Sequence, residues 1–271
     1  NSGLTANSSS SRGAGAPATP NQSSSDIRGS MVSALFALIE LKKAHWVKGI
    51  YFIYDVIVDQ SSSDGAKDSL LASNLCRRIP YIRDSGSIPS KVLEDFETCN
   101  YAGNNNTGTW DSEDGLIVCS LHNGGPVNWS SCHRALITCE GLSEASVGKA
   151  IADALDKYEE QVGDEESFYL KHFPLHKEGG GEGVAVMGDF QTMVCVAREL
   201  LEAELLQAPV QLRSFAGFAK WGRAQLLKEF IKGSWGALYD GHQYVLRNLP
   251  DPAAAGRAWA SAVEDSRGCT P

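Results

Sequence analysis

Behind Asp26, an acidic N-cap candidate, the apolar positions Ile27, Met31, Ala34, Leu35, Leu38, Leu41 and Ala44 recur at the spacing of one buried helix face. No turn signal separates this run from the aromatic and β-branched stretch 50–58, so the pattern predicts helix there too, with a break at Gly49. Leu70, Leu71, Leu75 and Ile79 mark a second helix ending near Pro80, and Pro89 opens a third through Val92, Leu93 and Phe96. Ser143, Val147, Ala150, Ile151, Ala154, Leu155 and Tyr158 define an amphipathic helix that ends at Gly163. The same periodicity predicts helices over 186–206, 210–231 and 235–249, punctuated by Pro209 and Pro250, and a last one from about 251 to 263. The run 116–119 is the strand candidate.

The expected fold is therefore all-α, with about seven or eight helices. Residues 1–25 are almost all Ser, Asn, Gly, Ala, Pro and Thr with a single charge, Arg12, and present no face to bury, which predicts a disordered tail. Residues 26–268 then form a single helical domain, interrupted by an irregular Cys-rich insertion at about 99–140 and by an acidic Gly-rich loop at about 163–184 that has the length of a lid.

Composition adds a compartment. The 271 residues carry seven Cys and four Asn-x-Ser/Thr sequons, at Asn7, Asn21, Asn105 and Asn128. Together these predict a secreted, extracellular glycoprotein, stapled by disulfides among Cys99, Cys119, Cys132 and Cys139. The start at Asn1 fits a mature product from which a leader has been removed. A net charge of −9 argues against a nucleic-acid partner. Glu40, Lys42, Lys43, His45, Lys48 and Asp55 interrupt the longest apolar stretch, which argues against a membrane span.

No reaction can be named from a motif, so the catalytic residues are unknown, and no cofactor or resident metal is expected. Cys119, His122, Cys132 and Cys139 have the residue types of a zinc site, yet their spacing suits disulfides better. His172 and His176 are four apart, but Pro174 breaks the helix that a paired-ligand motif requires. Charge patterning is more informative. Fourteen carboxylates face five basic side chains over 142–207, whereas Arg213, Lys220, Arg223, Lys228 and Lys232 oppose Glu229 alone over 210–232, interleaved with Phe215, Phe218 and Trp221.

This basic aromatic stretch supports two functions. In the leading expectation the chain is an effector-like or cell-surface protein that binds an extracellular protein partner through Arg213, Lys220, Trp221 and Arg223. In the alternative it is an all-helical enzyme, of lyase or isomerase type, whose basic residues clamp a small anionic metabolite. A concave site shared by Arg213 and Lys220 would favour the second; a convex face would favour the first.

Overall fold

The computed structural model describes residues 37–40, 49–57, 68–76, 78–79, 87–104, 109–162, 169–176, 182–238, 257 and 259–262. In chain order they form β1 (Ala37–Glu40), β2 (Ile50–Ile57), β3 (Ser69–Asn74), α1 (Ser90–Thr98), β4 (Tyr101–Asn104), β5 (Thr109–Ser112), β6 (Ile117–Asn123) and β7 (His133–Glu140). There follow α2 (Glu144–Val162), β8 (Leu170–His176), β9 (Glu182–Asp189), α3 (Phe190–Glu202), β10 (Val210–Ala216), β11 (Ala219–Gly222), α4 (Arg223–Ile231) and β12 (Trp235–Leu238). The strands make a five-stranded antiparallel sheet A, ordered β11-β3-β2-β1-β12, and a seven-stranded sheet B, ordered β4-β5-β6-β10-β7-β9-β8. Sheet B is antiparallel except where β10 runs parallel to β6.

The all-α expectation is thus overturned: the described chain is mainly β-sheet with flanking helices. The helices expected at 89–96 and 143–158 are found as α1 and α2, and the strand candidate 116–119 falls within β6. Elsewhere the periodicity misled. The expected first helix contains β1, and its continuation is β2; the run from Leu70 is β3. The expected helix 186–206 is strand until Asp189, 210–231 is β10 and β11 before α4 begins, and 235–249 opens as β12. The acidic Gly-rich loop contains β8 and the start of β9. The predicted tail 1–25 lies outside the described residues.

For the strands of sheet B among these, the cause is burial on both faces. A strand covered on both sides reads as a continuous apolar run, and its alternation disappears. Along β7, Ala135, Ile137 and Cys139 join one core with Val92 and Phe96 of α1, Val147 and Ile151 of α2 and Val194 of α3. The intervening Leu136 joins the other core, with Phe52 of sheet A and Phe173 of β8. Helices therefore cover one face of sheet B, and sheet A covers part of the other, where Phe52 meets Phe173 edge-to-face at 5.3 Å. Full burial of one such side chain contributes about 1.5–3 kcal/mol.

A bulge in β2 strengthens the junction between the sheets. The β2–β3 register shifts between Ile53 and Asp55, as an inserted residue requires. Tyr54 and Asp55, neighbours in sequence, consequently both reach sheet B: the Tyr54 hydroxyl accepts from Arg134 Nη1 at 2.7 Å, and Asp55 pairs with Lys171. The Arg134 guanidinium lies 4.0 Å from the centre of the Tyr169 ring, a cation–π contact that seals one edge of the interface.

Glycine is demanded where the loop after β6 crosses the β10–β11 corner. Gly217 has φ of +65°, and a Cβ there would stand 2.5 Å from the Gly125 carbonyl oxygen. That close approach explains the Asn123-Gly124-Gly125-Pro126 sequence.

The described cysteines Cys76, Cys99, Cys119, Cys132, Cys139 and Cys195 are all free, which corrects the expected disulfides among Cys99, Cys119, Cys132 and Cys139. Cys119 and Cys139 instead fill the helix-side core as small hydrophobes, whereas Cys132 packs against the inter-sheet core. With the disulfides goes one support for secretion.

Candidate functional site

Neighbouring strands in sheet B fix the rows of side chains that face sheet A. Arg213 of β10 stands between Ser120 of β6 and Leu136 of β7, and the next row is His122, Phe215 and Arg134. The β10–β7 register, carried on by two and four residues, sets Gln211 beside Thr138 and Pro209 beside Glu140. Arg213, Leu136, Gln211, Thr138, Pro209 and Glu140 line a cleft of about 290 Å³, walled by Leu206, Gln207 and Val210. That volume lies at the small end of the roughly 300–1,000 Å³ typical of small-molecule sites.

Arg213 and Glu140 are the charged groups in the lining. Arg213 is only 7% exposed, and its Nη1 is shielded from solvent with no hydrogen-bond partner among the described residues. Burial pulls its pKa down to about 10. A guanidinium is costly to bury without a counter-charge or an acceptor. Behind it, His122 is pulled down to about 3 by burial and by the positive charges of Arg213 and Arg78. It is neutral at physiological pH, with Nε2 3.1 Å from Ser120 Oγ and a buried Nδ1.

A second buried polar group lies on the helix side of sheet B. Asp95 of α1 accepts from His133 Nδ1 at 2.9 Å, Gln191 Nε2 at 2.9 Å and Lys91 Nζ at 3.0 Å. Burial alone would raise the Asp95 pKa, but the His133 bond and the Lys91 charge hold it below the ordinary carboxylate value. Burial also lowers His133, against the pull of Asp95, so the pair is a carboxylate and a neutral imidazole that donates from Nδ1. The ring stacks on Phe190 at 4.2 Å, and its Nε2 meets no partner among the described residues. Through these bonds the group pins α1 and α3 to β7.

The four residues expected to share one surface separate. Arg213 lines the cleft, Lys220 is exposed on β11, and Arg223 is exposed at the start of α4. Trp221 is buried, 5.4 Å from Tyr51 and 5.3 Å from Trp235, both edge-to-face. Cys119 and His122 leave β6 on opposite faces, and among the described residues no three of His, Cys, Asp and Glu gather as metal ligands. His172 pairs with Glu144 at 2.8 Å. Among the sequons, Asn128 is exposed in a turn, whereas Asn7, Asn21 and Asn105 lie outside the described residues. No helix among those residues is long and apolar enough to cross a membrane.

Sequence reasoning missed Thr138, Glu140, Gln211 and Asp95. The sum of residue numbers across antiparallel partners would have grouped the first three, but only once β7 and β10 were known to pair.

Comparison with family models and with curated proteins finds no match. Among solved structures, a crystal structure of a protein from Corynebacterium diphtheriae is similar at TM-score 0.34 and 16% identity, covering 81% of this chain and 89% of that one. A likeness of that size carries neither fold nor activity across.

Proposed function

We propose that this protein binds a small anionic molecule in the cleft between β7 and β10, with Arg213 as the anion's principal contact. One observation carries the reading: a buried guanidinium lines a cleft while its Nη1 has no partner among the described residues. Gln211 and Thr138 stand one row away as neutral hydrogen-bonding groups. A carboxylate or phosphate would supply the missing acceptor through a charge-assisted bond, whose net contribution is about 1.5–3 kcal/mol.

Arg213→Met tests this, because it keeps the length of the side chain and removes the charge. Thermal unfolding of the wild type with acetate, succinate or inorganic phosphate should show stabilisation, since a ligand that binds the native state adds RT ln(1 + [L]/Kd). In Arg213→Met that dependence is expected to vanish while the ligand-free midpoint holds or rises, because an apolar side chain replaces a buried charge. A lower midpoint, with no anion effect in the wild type, would show Arg213 to be purely structural.

A second reading, docking of an acidic protein surface, moves to α4. Leu227 is 60% exposed and Ile231 79%, one helical turn apart, with Arg223, Lys228 and Lys232 on the same short element or at its end. Leu227→Glu combined with Ile231→Glu should abolish retention on immobilised polyglutamate at an unchanged thermal midpoint. Retention by the double variant equal to wild type overturns this reading and leaves the cleft untouched.

A further inference from the structure

The charges in the cleft have a direction. Arg213 lies in the row with Leu136, and Glu140 lies two rows further along β7 on the same face. Four residues of extended strand separate Leu136 from Glu140, about 14 Å between Cα positions. Between the two charges stand Thr138 and Gln211, a hydroxyl and a carboxamide that can each donate or accept. A simple anion would use one end of this arrangement and be repelled by the other.

We propose that the cleft takes a short zwitterion of di- to tripeptide length, its carboxylate on Arg213 and its ammonium on Glu140, with backbone amides against Thr138 and Gln211. This rests on the anion-binding reading above and specifies the ligand class. An extended di- or tripeptide spans about 7–10 Å, and a hydrogen bond of about 3 Å at each end extends it to the roughly 14 Å between the two rows. Glu140 already makes a contact within the chain. A carboxylate offers about four acceptor positions, so it can receive an ammonium besides. The exposure of Glu140 and the burial of Arg213 set an order of entry: the carboxylate goes in first and the amine stays at the rim.

Isothermal titration of the full chain with triglycine, N-acetyl-triglycine and triglycine amide separates the two ends. Triglycine is expected to bind three- to five-fold more tightly than the acetylated form, and more than ten-fold more tightly than the amide. Glu140→Gln should weaken triglycine by the same three- to five-fold and leave N-acetyl-triglycine unchanged, whereas Arg213→Met should abolish both. Equal binding of triglycine and its acetylated form, insensitive to Glu140→Gln, would overturn the zwitterion and leave the anion site standing. If none of the peptides, succinate or phosphate binds in an Arg213-dependent way, both readings fall together.

Discussion

Replacing Asp95 with Ala should lower the free energy of unfolding by about 3–5 kcal/mol, measured by urea denaturation at pH 7. The magnitude follows from what would be stranded. The Asp95 side chain is 3% exposed and that of His133 is fully buried, so removing the carboxylate leaves the Nδ1 proton without an acceptor inside the core and takes the partner from one half-buried Gln191 amide proton. Three elements lose their common pin, because Asp95 belongs to α1, His133 to β7 and Gln191 to α3. The aromatic packing around it, Phe96 on Trp110 at 4.2 Å and His133 on Phe190 at 4.2 Å, depends on the position of that pin. A control distinguishes stranded polar groups from lost volume: Asp95→Leu with His133→Leu removes the stranded pair and should recover part of the loss. A single Asp95→Ala change costing under 1 kcal/mol would show that the contacts of Asp95 are not what holds α1 in place.

What was legible in the sequence depends on how each element is buried. The surface helices α1 and α2 each have one wet face, so Val92 and Phe96, or Val147, Ile151 and Ala154, stand out at helical spacing. Strands β9 and β10 have no wet face over most of their length. In β10 the buried run Leu212, Arg213, Ser214, Phe215 and Ala216 has no period to detect, and Phe215, Phe218 and Trp221 happen to fall three apart. Arg213 stands out because a cation amid aromatics is unusual, but the helical geometry that would group Lys220 with it gives way to β10 and β11. Glu140 and Asp95 gave no signal at all. Their placement arises from register between strands and from a hydrogen bond that spans 38 residues of sequence.

Acidification should unfold this protein through His122. The ordinary histidine value near 6.5 applies once the chain is unfolded, whereas the native site holds His122 at about 3. Below pH 6.5 the unfolded chain therefore takes up a proton that the native state refuses, and stability falls with pH down to about 3. That shift corresponds to about 5 kcal/mol of stability present above pH 6.5 and lost near pH 3, a large part of the roughly 5–15 kcal/mol of a typical domain. The refusal has named causes: burial first, then Arg213 on β10 and Arg78, whose residue bridges His122, with Phe215 against the ring and Ser120 as its polar neighbour. His122→Gln keeps a polar group for Ser120 and removes the titration, so its stability should lose less between pH 6.5 and 4 than the wild type does in parallel urea titrations. Identical pH slopes for the two proteins would exclude His122 as the acid trigger and leave His133, which burial also lowers, and carboxylates such as Asp95, whose lowered pKa also costs stability on acidification. The same field links this switch to the cleft. An anion seated on Arg213 cancels part of the positive potential at His122, so protonation of the ring becomes less unfavourable and the native state tolerates lower pH. The acid midpoint should therefore move down with inorganic phosphate, which stays anionic throughout this range, in the wild type and stay put in Arg213→Met, a result that an anion acting only through the rest of the surface cannot produce.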